Sequence, residues 1–172
     1  FKLLSLPKAE YIICESPPLF LGFTAVLVAK IKGSKLVFNV SDLWPESAEK
    51  LEIISNKFLI NLAYKLEKWI YKNSFMISGQ TKGIVTNIQS RFPIKKIVWF
   101  PNGVDVDFFE GEHENFPWRT ELNIQSDDFV LLYAGIIGHA KGLEVIIGAA
   151  EILRDLSIKF LIVGDGKKKK KL

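Results

Sequence analysis

The sequence predicts a parallel α/β protein made of two separate sheets, each assembled from strand–helix–strand units. Three observations lead there. From Tyr11 to Val163, short runs of β-branched and aromatic residues alternate with stretches of helical periodicity. That alternation is the pattern of parallel sheets with right-handed crossovers. It is interrupted once, between Pro101 and Asp127, where Pro101, Gly103, Gly111 and Pro117 stand among several acids and the periodicity fades. Finally, Leu131 to Leu153 (LLYAGIIGHAKGLEVIIGAAEIL) runs from a strand through a glycine-bearing turn into a helix.

Tyr11 to Cys14 reads as the first strand, broken by Glu15, Ser16, Pro17 and Pro18. Leu19 to Lys32 is an apolar helix stopped by Gly33, which suits a left-handed C-terminal cap. Lys35 to Val40 (KLVFNV) is the second strand. Asn56 to Tyr71 is an amphipathic helix expected to bury the face carrying Phe58, Leu59, Leu62, Leu66, Trp69 and Ile70. Phe75 to Ser78 is the third strand, Gln80 to Arg91 a helix, and Lys95 to Phe100 the fourth strand. Within the connector a short helix is expected near Trp118 to Leu122. Phe129 to Tyr133 is the fifth strand. Lys141 to Arg154 is a helix with Leu143, Ile146, Ile147, Ala150 and Leu153 on one face, and Ile158 to Val163 is the sixth strand.

Composition narrows the function classes. The formal net charge is +4, from 23 basic and 19 acidic residues. Lys167 to Lys171 supply five of the basic ones; without them the balance is 18 minus 19, or −1. No basic face interleaved with aromatics emerges, which disfavours nucleic acid as a partner. The single cysteine, Cys14, lies in an apolar run and reads as a small core residue in a reducing compartment. The most apolar stretch, Pro17 to Ala29, holds 13 residues without a charge. A membrane span needs about 20, so this reads as a buried or partly interfacial helix. No secretory signal is read at the start of the sequence. Two histidines and one cysteine, far apart, give no metal-ligand spacing, and no Gly-x-Ser-x-Gly elbow supports a serine hydrolase.

Three constellations could carry chemistry. The first follows the second strand: Ser41, Asp42, Leu43, Trp44, Pro45, Glu46 and Ser47. A carboxylate just past a buried strand lies where α/β proteins keep functional groups, and Trp44 offers a flat face for a sugar. The same residues read equally as a helix cap, with Pro45 near the first turn. The second is the glycine turn, with Gly135, Gly138, His139, Lys141 and Gly142. A strand turning into a helix gathers backbone N–H groups and the positive helix end, an arrangement suited to a phosphate. Such a turn can equally serve packing alone. The third comprises Asn102-Gly103 after the fourth strand and Gly164-Asp165-Gly166 after the sixth, either of which can be a simple turn.

Taken together, VFNVSDLWPESA, ISGQTKGIVTNI, VWFPNGVDVDFF, the glycine-turn segment and IKFLIVGDG, in this order, resemble the retaining glycosyltransferases of family 4. The likeness covers nearly the whole chain and is nearest to the bacterial O-antigen and capsule enzymes related to L-fucosamine transferases. It implies the GT-B fold, with two Rossmann-like domains facing a cleft, both incomplete here. Residues 1–104 would be the later part of the acceptor-side domain, 105–124 a connector, and 125–172 the first βαβ of the nucleotide-sugar domain. The donor would be a nucleotide-diphosphate sugar, held by Gly135, Gly138, His139, Lys141, Gly142, Gly164, Asp165 and Gly166. Ser41, Trp44, Pro45, Glu46, Asn102 and Gly103 would face a lipid-linked or glycan acceptor, with Asp42 the catalytic candidate though not a nucleophile. No cofactor and no metal are implied. A cytoplasmic setting is, with room for peripheral contact at the inner face of the plasma membrane.

The sequence departs from the family pattern in places. Ser41 stands where many members have His, and Ile136 and His139 stand where Arg is common. Lys141 is therefore expected to carry most of the phosphate charge. The lysine run replaces Pro and acidic residues, and the family's paired glutamates would lie past residue 172. The chain thus reads as an interior fragment. The alternatives are an inactive fragment or interaction module, and a nucleotide-sugar 2-epimerase of the same fold.

Overall fold

The computed structural model describes residues 2–93, 95–110 and 117–171. The chain divides into two compact units, Phe1–Asp105 and Val106–Leu172.

The first unit opens with a one-turn helix α1 (Lys2–Ser5), then β1 (Tyr11–Ser16), α2 (Leu19–Lys32) and β2 (Lys35–Val40). There follow α3 (Glu46–Lys50), α4 (Lys57–Asn73), β3 (Met76–Gly79), α5 (Lys82–Arg91) and β4 (Ile97–Trp99). Its four strands form one parallel sheet in the order β1-β2-β3-β4. Local signals set the element ends. Gly33 takes the left-handed conformation (φ 62°) that closes α2, which a glycine adopts without a Cβ clash. The Asn56 carboxamide accepts from the N–H groups of Phe58 and Leu59, at 2.9 and 3.3 Å, and so caps α4. The Thr81 hydroxyl accepts from Ile84 N–H at 3.1 Å and caps α5, each cap satisfying donors a helix start leaves open.

The core of this unit lies between the sheet and its helices. Phe38, Ile70, Ile77, Ile88, Tyr71 and Val26 are buried at 0 or 1 % exposure. The face of α4 matches the expectation in its later turns, where Leu66 and Trp69 pack against the core, and differs in its first turns. Ile70 is buried, but Phe58, Leu59 and Leu62 are 74, 50 and 54 % exposed. The inward stripe is Ile60, Glu67, Ile70 and Tyr71. Periodicity misjudged it because the stripe contains a carboxylate. Glu67 is 2 % exposed and accepts two hydrogen bonds, at 2.7 and 2.8 Å, from the Arg91 guanidinium on α5. A buried acid is tolerable when paired in this bidentate way.

The second unit holds α6 (Val106–Glu110), α7 (Trp118–Glu121), β5 (Phe129–Ala134), α8 (Glu144–Ile152) and β6 (Ile158–Val163). Strands β5 and β6 pair in parallel, from Phe129 opposite Ile158 to Ala134 opposite Val163. Helix α6 was not anticipated in the connector. His113 and Gly111 lie outside the described residues. The helix read from Lys141 begins three residues later: His139–Lys141 is a 3-10 turn, Gly142 is left-handed (φ 59°), and α8 starts at Glu144. Among the described residues no helix is long and apolar enough to cross a membrane.

Candidate functional site

In the first unit the polar residues gather at the C-terminal edge of the sheet. Parallel register sets Ser16 beside Val40 and Val40 beside Gly79, with Gly79 beside Trp99. The ladder continues one step further: Ser41 N–H donates to Ser16 O at 3.0 Å, Gln80 N–H to Val40 O at 3.2 Å, and Phe100 N–H to Gly79 O at 2.9 Å. Glu15 near the end of β1, Ser41 just past β2 and Gln80 just past β3 are thereby brought into one cluster. The Ser41 hydroxyl donates to the Glu15 carboxylate. The Gln80 amide donates to Glu15 Oε1 at 3.1 Å and to Ser41 Oγ at 2.7 Å. Trp99 completes the edge, its indole N–H donating to Gln80 O at 3.2 Å.

The other residues of this edge have mixed roles. Asp42 is exposed and held by the Ser47 hydroxyl. Pro45 is fully buried, and Trp44 is half-buried, packed in part against the core. The half-exposed indole is Trp99, with Lys82 Nζ 4.9 Å from its ring centre. Glu46 binds Lys50 at 2.5 Å and Asn87 at 3.4 Å. The Lys50 ammonium holds its carboxyl below the ordinary carboxylate range. Glu46 thus ties α3 to α5. Asn102 and Gly103 are exposed, and a Cβ on Gly103 would meet open space. Burial first, then the Glu15 charge, pushes the Cys14 thiol up, which makes a poor nucleophile of it.

The sequence pattern missed Glu15, Gln80 and Trp99. Their shared signal is position: each lies in the last two residues of a strand or the first residue after it. That signal can be used only once the strand ends and the register are known.

In the second unit two turns lock together just past β5 and β6. Gly135 N–H donates to Val163 O and Ile137 N–H to Asp165 O, both at 2.9 Å, and Lys168 N–H returns to Ile137 O at 3.1 Å. The backbones approach so closely that a Cβ on Gly164 would sit 1.8 Å from Gly135 O. One on Gly166 would sit 2.2 Å from Ile137 O. Gly164 and Gly166 are therefore demanded by the contact between turns. Asp165 accepts from Gly166 N–H at 2.8 Å. His139 and Lys141 are exposed on the 3-10 turn. Among the described residues the Lys141 ammonium forms no ion pair. The first turn of α8 carries its own anion, Glu144, bonded to Lys168. That hydrogen bond, and then Glu144's own N–H, hold the carboxyl below the ordinary range. The helix dipole consequently acts on Glu144, while Lys141 stands in the turn before it.

Residues 114–172 match the family described as Glycosyl transferases group 1. Over 171 residues the chain is 27% identical to the putative colanic acid biosynthesis glycosyl transferase WcaI of Escherichia coli K12, covering 96% of this chain and 42% of that protein. Over 111 residues it is 34% identical to the lipopolysaccharide 1,2-N-acetylglucosaminetransferase of Salmonella typhimurium LT2, covering 63% of this chain and 29% of that protein. The chain thus spans less than half the length of either relative. Among solved structures, Anabaena HepE in complex with UDP superposes with a TM-score of 0.65 at 17% identity, over 92% of this chain and 41% of that one. The complex of HepE with UDP and glucose gives 0.64 over the same shares. At that identity the likeness is one of fold: α/β of the GT-B type, a fragment of Rossmann-like domains with parallel sheets.

Proposed function

We propose that the protein is a glycosyltransferase of cell-surface polysaccharide biosynthesis. It moves a hexosyl or amino-sugar unit from a nucleoside-diphosphate sugar to a lipid-linked or polysaccharide acceptor, with retention at the anomeric carbon. The observation that carries the reading is the pair of interlocked glycine turns in the second unit, with an exposed Lys141 on the 3-10 turn that forms no ion pair among the described residues. The likeness to a colanic acid transferase and a lipopolysaccharide transferase supports the process. The UDP in the HepE complexes supports a nucleoside-diphosphate donor.

The chemistry follows from charge. As the sugar–phosphate bond breaks, negative charge grows on the leaving diphosphate. Lys141 is the donor proposed to meet it, with the His139 N–H beside it, since the Gly138 N–H already donates to Ile136 O at 3.1 Å; a donor aimed at developing charge lowers the barrier most where it is fixed in advance. Gly164 and Gly166 act indirectly, by fixing the turn that carries these donors. On the acceptor side, Glu15, Ser41 and Gln80 present a carboxylate, a hydroxyl and an amide to a saccharide hydroxyl, with the Trp99 ring beside them. Asp42, exposed and adjoining Ser41, is the candidate to receive the acceptor's proton.

The test is a transfer assay with UDP-sugars and an acceptor extract, the product anomer read by NMR. Release of UDP coupled to a product of unchanged anomeric configuration is expected. An inverted product would refute retention, and release of UDP with a free 2-epimer would refute transfer.

A further inference from the structure

Three side chains at the edge of the first unit's sheet hold one another in a single arrangement. The Gln80 amide uses both of its protons, one on Glu15 Oε1 at 3.1 Å and one on Ser41 Oγ at 2.7 Å. The Ser41 hydroxyl gives its only proton to the same Glu15 oxygen. The reverse orientation of the Gln80 amide would set its carbonyl oxygen against a carboxylate oxygen, and two acceptors facing each other repel. Glu15 therefore decides which end of the amide faces the cluster.

What these side chains leave over is uniform. An amide nitrogen carries two protons and a hydroxyl one, so none remains for a ligand. Glu15 Oε2, the Gln80 side-chain oxygen and one lone pair of Ser41 Oγ are left, and all of them accept. Glu15 forms no ion pair among the described residues. An ammonium at this edge, that of Lys82, lies over the Trp99 ring instead. The Trp99 indole N–H is taken by Gln80 O. Asp42, next in sequence to Ser41, adds a second carboxylate, one that accepts from Ser47. The next polar pair back along the strands, Asn39 and Ser78, is joined by a hydrogen bond of 2.7 Å and lies within β2 and β3 rather than past their ends.

Side chains with this inventory pair with donors and oppose anions. A hydroxyl or an ammonium satisfies them. A carboxylate or phosphate would meet Glu15 with like charge and would set its own oxygens against those of Gln80 and Ser41. We propose that Glu15, oriented by Ser41 and Gln80, sets the acceptor specificity of this edge: it selects a neutral or amino saccharide and rejects one that carries an acid group at the position read. The proposal rests on the reading of this edge as the acceptor side.

The experiment is NMR titration of the full chain with methyl glucoside, methyl glucosaminide and methyl glucuronide, followed at the indole N–H signals of its four tryptophans. Trp99→Phe identifies the Trp99 signal, which reports on the cluster because that indole bonds to Gln80. A saturable shift of the Trp99 signal is expected. The glucosaminide should bind at least as tightly as the glucoside, and the glucuronide roughly tenfold more weakly than the glucosaminide, the scale of a single charge contact near a surface. Glu15→Gln should level the three sugars, whereas Asp42→Asn should leave their order in place. Glu15 and Asp42 are exposed, so the Trp69 and Trp118 signals should stay unmoved in both variants. The proposal is overturned if the glucuronide binds as tightly as the glucosaminide, or if none of the three sugars moves the Trp99 signal. It is also overturned if Glu15→Gln keeps the order or if Asp42→Asn removes it. The titration contains no nucleotide and follows no transfer. A protein that keeps this order but transfers no sugar refutes the enzymatic reading alone, and one that transfers sugar without this order refutes only the role of Glu15.

Discussion

Gly164 and Gly166 show how much a single missing Cβ can decide. Both have φ near +156° and both meet backbone atoms rather than flexible side chains. Gly166→Ala must therefore push its turn away from the Ile137 backbone. Backbone strain of this kind costs on the order of 1 to 3 kcal/mol. Gly103→Ala, with nothing within 4 Å of its Cβ, is expected to stay within about 0.5 kcal/mol of the parent. Urea denaturation of both variants checks this, and equal midpoints would mean the turns do not touch. The sequence pointed to GDG as a site or a simple turn. It could not show that the glycines answer to Gly135 and Ile137, because that contact joins residues far apart in the chain. The polar edge of the first unit's sheet has the same limit. Ser41 and Asp42 were legible as polar residues after a strand, whereas Glu15 and Gln80 reach Ser41 only through parallel register. Trp44 was chosen for its flat ring and is half-buried, while the more exposed indole at this edge is Trp99.

Helices and strands were legible where local rules suffice. KLVFNV and IKFLIV carry dense β-branched and aromatic residues and form strands with the bounds expected, and Gly33 ends α2. Helix α4 was legible as a helix, and its face was read correctly at Leu66, Trp69 and Ile70 and wrongly at Phe58, Leu59 and Leu62, since no local rule foretells that Glu67 goes inward with Arg91. A second tie holds this element from its other flank. The Tyr64 hydroxyl donates to Glu49 at 2.7 Å. Desolvation first, then that hydrogen bond, raises its pKa to about 12. The sign follows from the folded value lying above the ordinary one near 10. The contribution is complete below pH 10 and is lost as pH rises towards 12. Thermal melts between pH 8 and 12 should fall more steeply for the parent than for Tyr64→Phe. Parallel curves would mean that α3 and α4 are not joined through this phenol.

At the scale of the whole chain the two units are unequal. Among the described residues, buried apolar side chains are concentrated in the first unit, and the second contributes Ile137 and Leu143. Both belong to the turn region that the proposed function assigns to the donor, so a bound nucleotide would stabilise the part of the second unit with the most organised packing. The break between two sheets was legible in the composition change after Pro101, because a connector of Pro, Gly and acids cannot continue a parallel sheet. The most direct test of the account is calorimetric titration of UDP into the parent and the Lys141→Ala protein. A charge-assisted hydrogen bond to phosphate is worth about 1.5 to 3 kcal/mol, so Lys141→Ala should bind UDP at least about tenfold more weakly with its fold intact. Equal affinity in the two proteins would contradict the assignment and leave the glycine turns a packing feature alone.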